Sequence, residues 1–336
     1  MVTINDVAHE ARVSVGTVSK VINSRPGVAL ETRARVQEAI ARLNYHCDSS
    51  ARGLRTRRTM MLGIVVPFLN HEYTQGIIAG AENTAAEFGY NVVVCNSQKS
   101  AEREYELVKL FLRRQVDGLL IALPRMDDPG LARLAAEGVP LAVVGRQVHG
   151  DLSFPVVTAD NGLGIRQAVA HLAGEHGRRR IAYLHGAVDD MDDAARFAGY
   201  CQGLSDAGLA FDPELTGYGG HSEEDMAGEA LARMIRLGHQ PDAVVCFDDS
   251  LAIGVYRMAS RLGLAIPEDL AVIGVNDSQI ARYLTPKLCS VTLPTQGMGE
   301  LATRKLIGML NNGREGAGIH VLPTGIVTRG SCGCRD

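Results

Sequence analysis

Short apolar stripes at helical spacing open the chain, and longer apolar runs of strand length follow them. Ile4, Val7, Ala8 and Ala11 fall at i, i+3, i+4 and i+7, one face of a first helix, and Val18, Val21 and Ile22 mark a second. Thr3 and Ser14 stand where N-caps belong, each with a polar partner three residues on, Asp6 and Thr17. Only Arg12-Val13-Ser14 joins the two helices, so they must cross steeply, and Ala8 and Ala11 are small enough to let the backbones approach. The second helix leaves Val15, Gly16, Ser19, Lys20 and Asn23 facing outward, a small, polar or basic surface without an acid. That layout fits a helix-turn-helix entering a major groove, and by itself it also fits any small helical hairpin. Val36, Ile40 and Leu43 predict a third helix over 31–43 that covers the first two.

From Leu62 the texture changes. Apolar runs at 62–66, 91–95, 118–122, 141–145, 181–185, 243–247 and 270–275 alternate with amphipathic helical segments. Strands that are apolar throughout, with helices between them, mean parallel sheets buried on both faces. The pattern runs twice: Asp117-Gly-Leu-Leu-Ile-Ala122 is echoed by Asp242-Ala-Val-Val-Cys-Phe247, and Leu141-Ala-Val-Val-Gly145 by Leu270-Ala-Val-Ile-Gly274. Two similar α/β lobes are expected. Ligands of open α/β sheets sit beyond the carboxyl ends of the strands. Those ends carry Pro67-Phe68 with Tyr73 downstream, Arg146, His185, Asp248-Asp249 and Asn276-Asp277, which offer hydrogen bonds and stacking faces to a ligand in a cleft. Each also has a plainer role open to it. Asp248 or Asp249 fits as the cap of a helix over 250–262, Asn276 or Asp277 as a turn residue, and Arg196 as a solvated helix residue.

Between these two textures, residues 44–48 break the helical pattern, and residues 49–59 carry four arginines (Arg52, Arg55, Arg57, Arg58) around a single large apolar side chain, Leu54. The segment is too short and polar to hold itself helical. It reads either as a linker or as a stretch that folds on nucleic acid. Charge bears on this choice. Residues 1–60 hold ten basic against five acidic side chains, whereas the rest holds 24 basic against 33 acidic. A basic head on an acidic body suits a polyanion bound by the head alone. No apolar run is long enough to span a membrane, and the chain enters a capped helix at once, so neither a membrane segment nor a signal peptide is expected.

Seven cysteines, two of them (Cys95 and Cys246) within apolar strands, fit reduced cytoplasmic thiols. Cys332-Gly-Cys334 offers two thiols with no further ligand nearby in sequence, and the histidines show no metal-ligand spacing, so no metal and no cofactor are expected. Phosphate-binding glycine loops, zinc-protease and nucleophile-elbow motifs are absent from the sequence, which argues against an enzyme.

Across essentially its full length the chain resembles the LacI/GalR family of bacterial transcription repressors. The run from Thr3 to Asn23 (Thr-Ile-x-Asp-Val-Ala-x-x-Ala-x-Val-Ser-x-x-Thr-Val-Ser-Lys-Val-Ile-Asn) matches the family headpiece, and Asn44-Tyr45 and Ala51-Arg-x-Leu54 match its end and the hinge. Arg196-x-x-Gly199-Tyr200, Asp249-x-x-Ala252-x-Gly254, Pro267-Glu-Asp-Leu270 and Thr328-Arg-Gly-Ser331 match the core. The resemblance implies an α/β chain with a three-helix helix-turn-helix headpiece and hinge. A two-lobed core like that of periplasmic binding proteins would follow, with two doubly wound parallel sheets. It also implies base contacts from Val15, Gly16 and Lys20, and phosphate contacts from Ser14, Thr17, Ser19, Asn23 and Tyr45. In the hinge it implies DNA contacts from Arg52 and from Leu54, the latter wedged into the minor groove. Tyr73, Arg146, Arg196, Asp248 and Asn276 fall at effector-contacting positions. The chain departs from the family at Cys47-Asp48, where Pro-Asn is usual, and at Ala29, where a capping Ser is usual. Gly53 weakens the hinge helix by about 1 kcal/mol. Asn70-His71-Glu72-Tyr73 replaces Asn-Pro-Phe-Phe, and Asp248 replaces Asn.

The expected organisation is a headpiece over 1–46, a hinge over 47–60 and a core over 61–336. Within the core, lobe 1 would take about 61–159 and 290–322, and lobe 2 about 160–289 and 323–331. The expected function is a cytoplasmic, nucleoid-associated regulator, not an enzyme, bound to pseudo-palindromic operator DNA and controlled by a sugar or sugar derivative. One recognition helix reads few bases, so a homodimer is expected. No leucine heptads precede Asp336, so no tail-driven tetramer is expected. A solute-binding sensor without DNA function is the alternative, and it leaves the headpiece unexplained.

Overall fold

The structure is a computed structural model that describes residues 2–22, 25–45, 58–150, 152–186, 192–220, 224–312 and 316–335. It divides into two compact units, Met1–Thr59 and Met60–Asp336. Asn23, Arg52, Gly53 and Leu54, and with them most of the expected hinge, lie outside the described residues.

In the first unit, α1 (Ile4–Glu10), α2 (Val15–Ile22) and α3 (Leu30–Arg42) enclose Val7, Ala8, Ala11, Val18, Val21, Val36 and Ala39. The capping pairs form as spaced. The Asp6 carboxylate accepts the Thr3 N–H at 2.7 Å and its hydroxyl at 2.8 Å, which holds the acid below its ordinary pKa. The Ser14 hydroxyl accepts the Thr17 N–H at 3.2 Å. Arg12, at φ 50°, takes the left-handed conformation within the short turn between α1 and α2. Ala29 precedes α3 without a side-chain cap.

The second unit holds two six-stranded sheets. The first sheet contains β1 (Met61–Val66), β2 (Asn91–Asn96), β3 (Gly118–Ala122), β4 (Leu141–Val144), β5 (Pro155–Ala159) and β11 (Gly318–Leu322), in the order β11-β5-β4-β3-β1-β2, all parallel. The second contains β6 (Ile181–His185), β7 (Thr216–Tyr218), β8 (Ala243–Cys246), β9 (Ala271–Val275), β10 (Cys289–Thr292) and β12 (Gly325–Val327), in the order β12-β10-β9-β8-β6-β7. Only the β10–β12 pair among these is antiparallel. The central strands β3, β4, β5, β6, β8 and β9 are buried along their whole length, as apolar runs without alternation require.

The helices between these strands are α4 (Glu72–Glu87), α5 (Ala101–Arg113), α6 (Asp128–Ala136), α7 (Asn161–Gly174), α8 (Asp193–Asp206), α9 (Glu224–Arg236), α10 (Asp249–Leu262) and α11 (Thr295–Asn312). The internal echo has a structural counterpart. Asp117 accepts the Met60 N–H at 3.0 Å, and Asp242 accepts the N–H groups of Arg179 and Arg180 at 2.8 and 3.1 Å, so each acid clamps the start of the neighbouring strand. Tight helix pairs cover both sheets. A Cβ on Gly80 of α4 would overlap the Gln296 carbonyl of α11, and one on Gly199 of α8 would overlap the Gly162 carbonyl of α7.

The chain passes between sheets three times: between β5 and α7, after β10, and between β11 and β12. Strand β10 stays in the second sheet, so the second crossing falls after Thr292.

Candidate functional site

Two surfaces carry the candidate residues. On the first unit, Ser14, Val15, Gly16 and Lys20 are exposed, and Thr17 and Ser19 are partly so. A side chain added at Gly16 would meet only the Ser14 hydroxyl, at 3.7 Å, so protein packing does not require the glycine and the surface is left open. Tyr45 packs half-buried against the headpiece core. The Ser14 hydroxyl is shared between the α2 cap and Thr17 Oγ1, 2.9 Å away.

In the second unit a cavity of about 540 Å³ lies where the carboxyl ends of the two sheets face one another, a size in the range of small-molecule sites. The first lobe contributes Pro67, Phe68, Asn70, His71, Tyr73, Lys99, Leu123, Pro124, Arg125 and Gly145. The second contributes Asp192, Arg196, Phe247, Asp248, Ser250 and Asn276. Of the five residues expected here, Tyr73, Arg196, Asp248 and Asn276 line the wall.

Arg196 is held from several sides. It is 3% exposed, donates to Asn161 Oδ1 at 3.1 Å and to the Phe247 carbonyl at 2.6 Å, and lies 4.2 Å from the centre of the Phe247 ring. Asp192, one turn earlier, stands 3.9 Å from its guanidinium. The Arg196-x-x-Gly199-Tyr200 motif thus divides its labour. Gly199 lets α7 and α8 touch, the Tyr200 hydroxyl bonds the Ile181 carbonyl at 2.8 Å, and the arginine alone reaches the cavity.

Asp248 faces the cavity and also caps α10, accepting the Leu251 N–H at 2.9 Å. Its neighbour Asp249 is a buried strut that accepts from Ser278 N, Ser278 Oγ and Ser290 Oγ at 2.7 Å each. Burial pushes the Asp249 carboxyl up to about 7, against the bonds that pull it down. Asn276 sits at φ 105°, a strained conformation for a residue with a side chain, and its buried Oδ1 has no hydrogen-bond partner among the described residues. An orphaned acceptor on a cavity wall is a place for a ligand donor.

Arg146 does not line the cavity. Its guanidinium turns back to the 124–128 loop, donating to the Pro124 carbonyl at 3.1 Å and the Met126 carbonyl, and pairing with Asp128. Buried Glu104 accepts from Arg125 N and Met126 N at 3.0 and 2.7 Å in the same loop, and burial raises its pKa. Arg146 therefore braces the loop that presents Pro124 and Arg125. Asp277 is likewise engaged elsewhere, by Arg329 at 2.5 Å, and His185 by Asp193 at 2.7 Å. Lys99, Leu123 and Asp192 are wall residues that strand-end reasoning missed. The spacing of Asp192 to Arg196, one helical turn, was the available signal for the last.

Comparison with known proteins finds a counterpart for each of the two units. Residues 3–48 match the model for bacterial regulatory proteins of the lacI family, and residues 169–332 match a periplasmic binding protein-like domain. Catabolite control protein A of Priestia megaterium is 30% identical over 331 residues, covering 98% of this chain and 99% of that protein. A transcriptional regulator CelR–cellobiose complex superposes with a TM-score of 0.74 at 31% identity, covering 98% of this chain and 100% of the other. The lac repressor dimer bound to operator and an anti-inducer does so with a TM-score of 0.86 at 26% identity, covering 98% and 99%. These relatives are regulators of transcription, not enzymes, and no described helix is long and apolar enough to cross a membrane. The chain belongs to the LacI family of DNA-binding transcriptional regulators.

Proposed function

We propose that this regulator is a homodimeric repressor without enzymatic activity, acting at the bacterial nucleoid, whose hold on a pseudo-palindromic operator is set by a sugar or sugar derivative bound between its lobes. The observation that carries the proposal is the wall pairing a buried, pre-oriented Arg196 with Asp248 and the orphaned Oδ1 of Asn276. A guanidinium and a carboxylate match the paired hydroxyls of a saccharide, Asn276 accepts a further one, and Phe68 and Tyr73 offer ring faces to the sugar's apolar side. The neighbour solved with cellobiose supports this ligand class. On the headpiece the reading assigns base contacts to Val15, Gly16 and Lys20, and backbone contacts to Ser14, Thr17, Ser19, Asn23 and Tyr45. It places Arg52 and Leu54 in a hinge over 47–60. The ligand acts by binding one lobe arrangement better than the other.

The test has two steps on the full chain. A thermal-shift screen against monosaccharides, disaccharides including cellobiose, and sugar phosphates should find a stabilising ligand. The same ligand should then alter retention of a genomic DNA fragment in a gel shift. Lys20→Ala should lose about 1–3 kcal/mol of discrimination between that fragment and random DNA. Equal losses on both would make Lys20 a backbone contact only. A chain that binds a saccharide yet retards no genomic fragment would be a solute sensor without DNA function.

A further inference from the structure

The two thiols of Cys332 and Cys334 are isolated in sequence, but the fold brings His171 and His176 to them. His171 lies near the end of α7 and His176 just beyond it, more than 150 positions from the cysteines. His171 Nε2 stands 3.1 Å from His176 Nε2, 3.3 Å from Cys332 Sγ and 3.5 Å from Cys334 Sγ, and His176 Nε2 stands 3.4 Å from Cys334 Sγ. All four donor atoms lie within 4.8 Å of one another.

We propose that these four side chains form a structural zinc site of the Cys₂His₂ type. With Zn–S about 2.3 Å and Zn–N about 2.0–2.1 Å, a tetrahedral ion holds its donors roughly 3.4 Å (N to N), 3.6 Å (N to S) and 3.8 Å (S to S) apart. The N-to-N separation and the three N-to-S separations above fall within a few tenths of an ångström of that scale, and every donor pair stays within 4.8 Å. Two thiolates and two neutral imidazoles are a soft, closed donor set that suits zinc and disfavours magnesium or calcium.

Contrary to the expectation that the histidines show no metal-ligand spacing, His171 and His176 stand at His-x₄-His, an ordinary zinc spacing, while Cys-Gly-Cys is tighter than usual and depends on its glycine. Gly333 sits at φ +107°, and a Cβ there would press on the His176 ring at 3.1 Å. The ion would tie the end of α7 to the tail, which is already fastened to the second sheet by Ser331 between Cys289 N and Val272 O.

Cobalt(II) added to the reduced, chelator-treated full chain tests the site. The expected result is saturation at one ion per chain, with the intense visible bands of tetrahedral cobalt and a sulfur-to-metal charge-transfer band, both displaced by zinc. Zinc should also raise the melting temperature and shield Cys332 and Cys334 from alkylation. Cys334→Ser and His176→Gln should lose the bands and the zinc-dependent melting shift, while Cys95→Ser on β2 keeps them. Circular dichroism without metal checks that the variants fold, and if they do not, stoichiometry, spectrum and alkylation of the native chain decide. Absence of tetrahedral bands, bands that survive Cys334→Ser, or a disulfide at Cys332 or Cys334 in protein alkylated on lysis would overturn the assignment.

Discussion

At the carboxyl end of the third strand of each lobe, equivalent positions in the repeated sequence carry Leu123 in the first and Asp248 in the second, and both face the cavity. The contrast extends along both walls. The first lobe offers rings and apolar surface from Phe68, Tyr73, Leu123 and Pro124, with Lys99 5.2 Å from the centre of the Phe68 ring. The second offers Arg196, Asp248 and Asn276, each fixed by packing, capping or backbone strain before any ligand arrives. Strands, clamping aspartates and glycine seams repeat between lobes, whereas the chemistry at the strand ends diverges. A duplicated frame has thus been given one side whose fixed Arg196, Asp248 and Asn276 can orient a ligand and another that adds rings and apolar surface beside Asn70, His71, Lys99 and Arg125.

The contrast is broken most severely at Arg196. Arg196→Ala should weaken binding of whichever saccharide the screen finds by roughly 2–5 kcal/mol, since it removes the buried guanidinium that the Phe247 carbonyl holds toward the cavity. Calorimetry should show this loss while operator affinity without ligand is kept, and undiminished saccharide affinity would remove Arg196 from the site.

A second test probes how rigidly the polar lobe is built. The Asp249 carboxyl titrates at about 7 when folded against 3.8 as its ordinary value, so between these pH values the native state keeps a proton that the unfolded chain has released. Its contribution to stability is full below about pH 4 and is lost as pH rises through about 7. Asp249→Asn, whose amide can serve the same serines, should match the parent at low pH and exceed it by roughly 2–4 kcal/mol at about pH 8. Urea denaturation across that range measures the divergence, and parallel pH profiles would refute it.

The shared frame is sharpened by paired substitutions in the two seams. Gly80→Ala and Gly199→Ala each force a methyl group onto a helix backbone carbonyl, and each should cost about 1–3 kcal/mol by thermal or urea melting. A seam that accepts the methyl group freely would show that its lobe is loosely packed and that the two frames are unequal.

The smallest effect lies where the lobes meet. Glu72 at the start of α4 accepts the Gln279 N–H at 2.8 Å across the cleft. Glu72→Ala should lower saccharide affinity by about 0.5–1.5 kcal/mol without changing the melting of either lobe's sheet. Unchanged affinity in calorimetry would mean that this contact does not help hold the walls together.

The sequence disclosed what is local or periodic. Thr3 with Asp6, Ser14 with Thr17, and the seven apolar strand runs each carry their own instructions, and the observed strands agree with those runs to within a residue at each end. Strand-end reasoning located Tyr73, Asp248 and Asn276 because parallel topology forces those ends to one side. It failed at Arg146, since a long side chain at a strand end can fold back, and Glu104 with the 124–128 loop had built a receptor for it. The short strands β7 and β12 were hidden because three residues give no periodicity. The histidine–cysteine cluster was hidden because its halves meet only through tertiary structure.

The three crossings between sheets also set an order on synthesis. The first sheet lacks its β11 edge, and the α11 helix that packs against α4, until about residue 322 has been made. The second gains β12 and the bracing Arg329 and Ser331 only in the last segment. Neither lobe can therefore close its core before about residue 322 has been made, and the faces of α4 and β5 must wait for it. A nonsense codon just after Leu322 would consequently damage the second lobe, whose first strand was translated some 140 residues earlier.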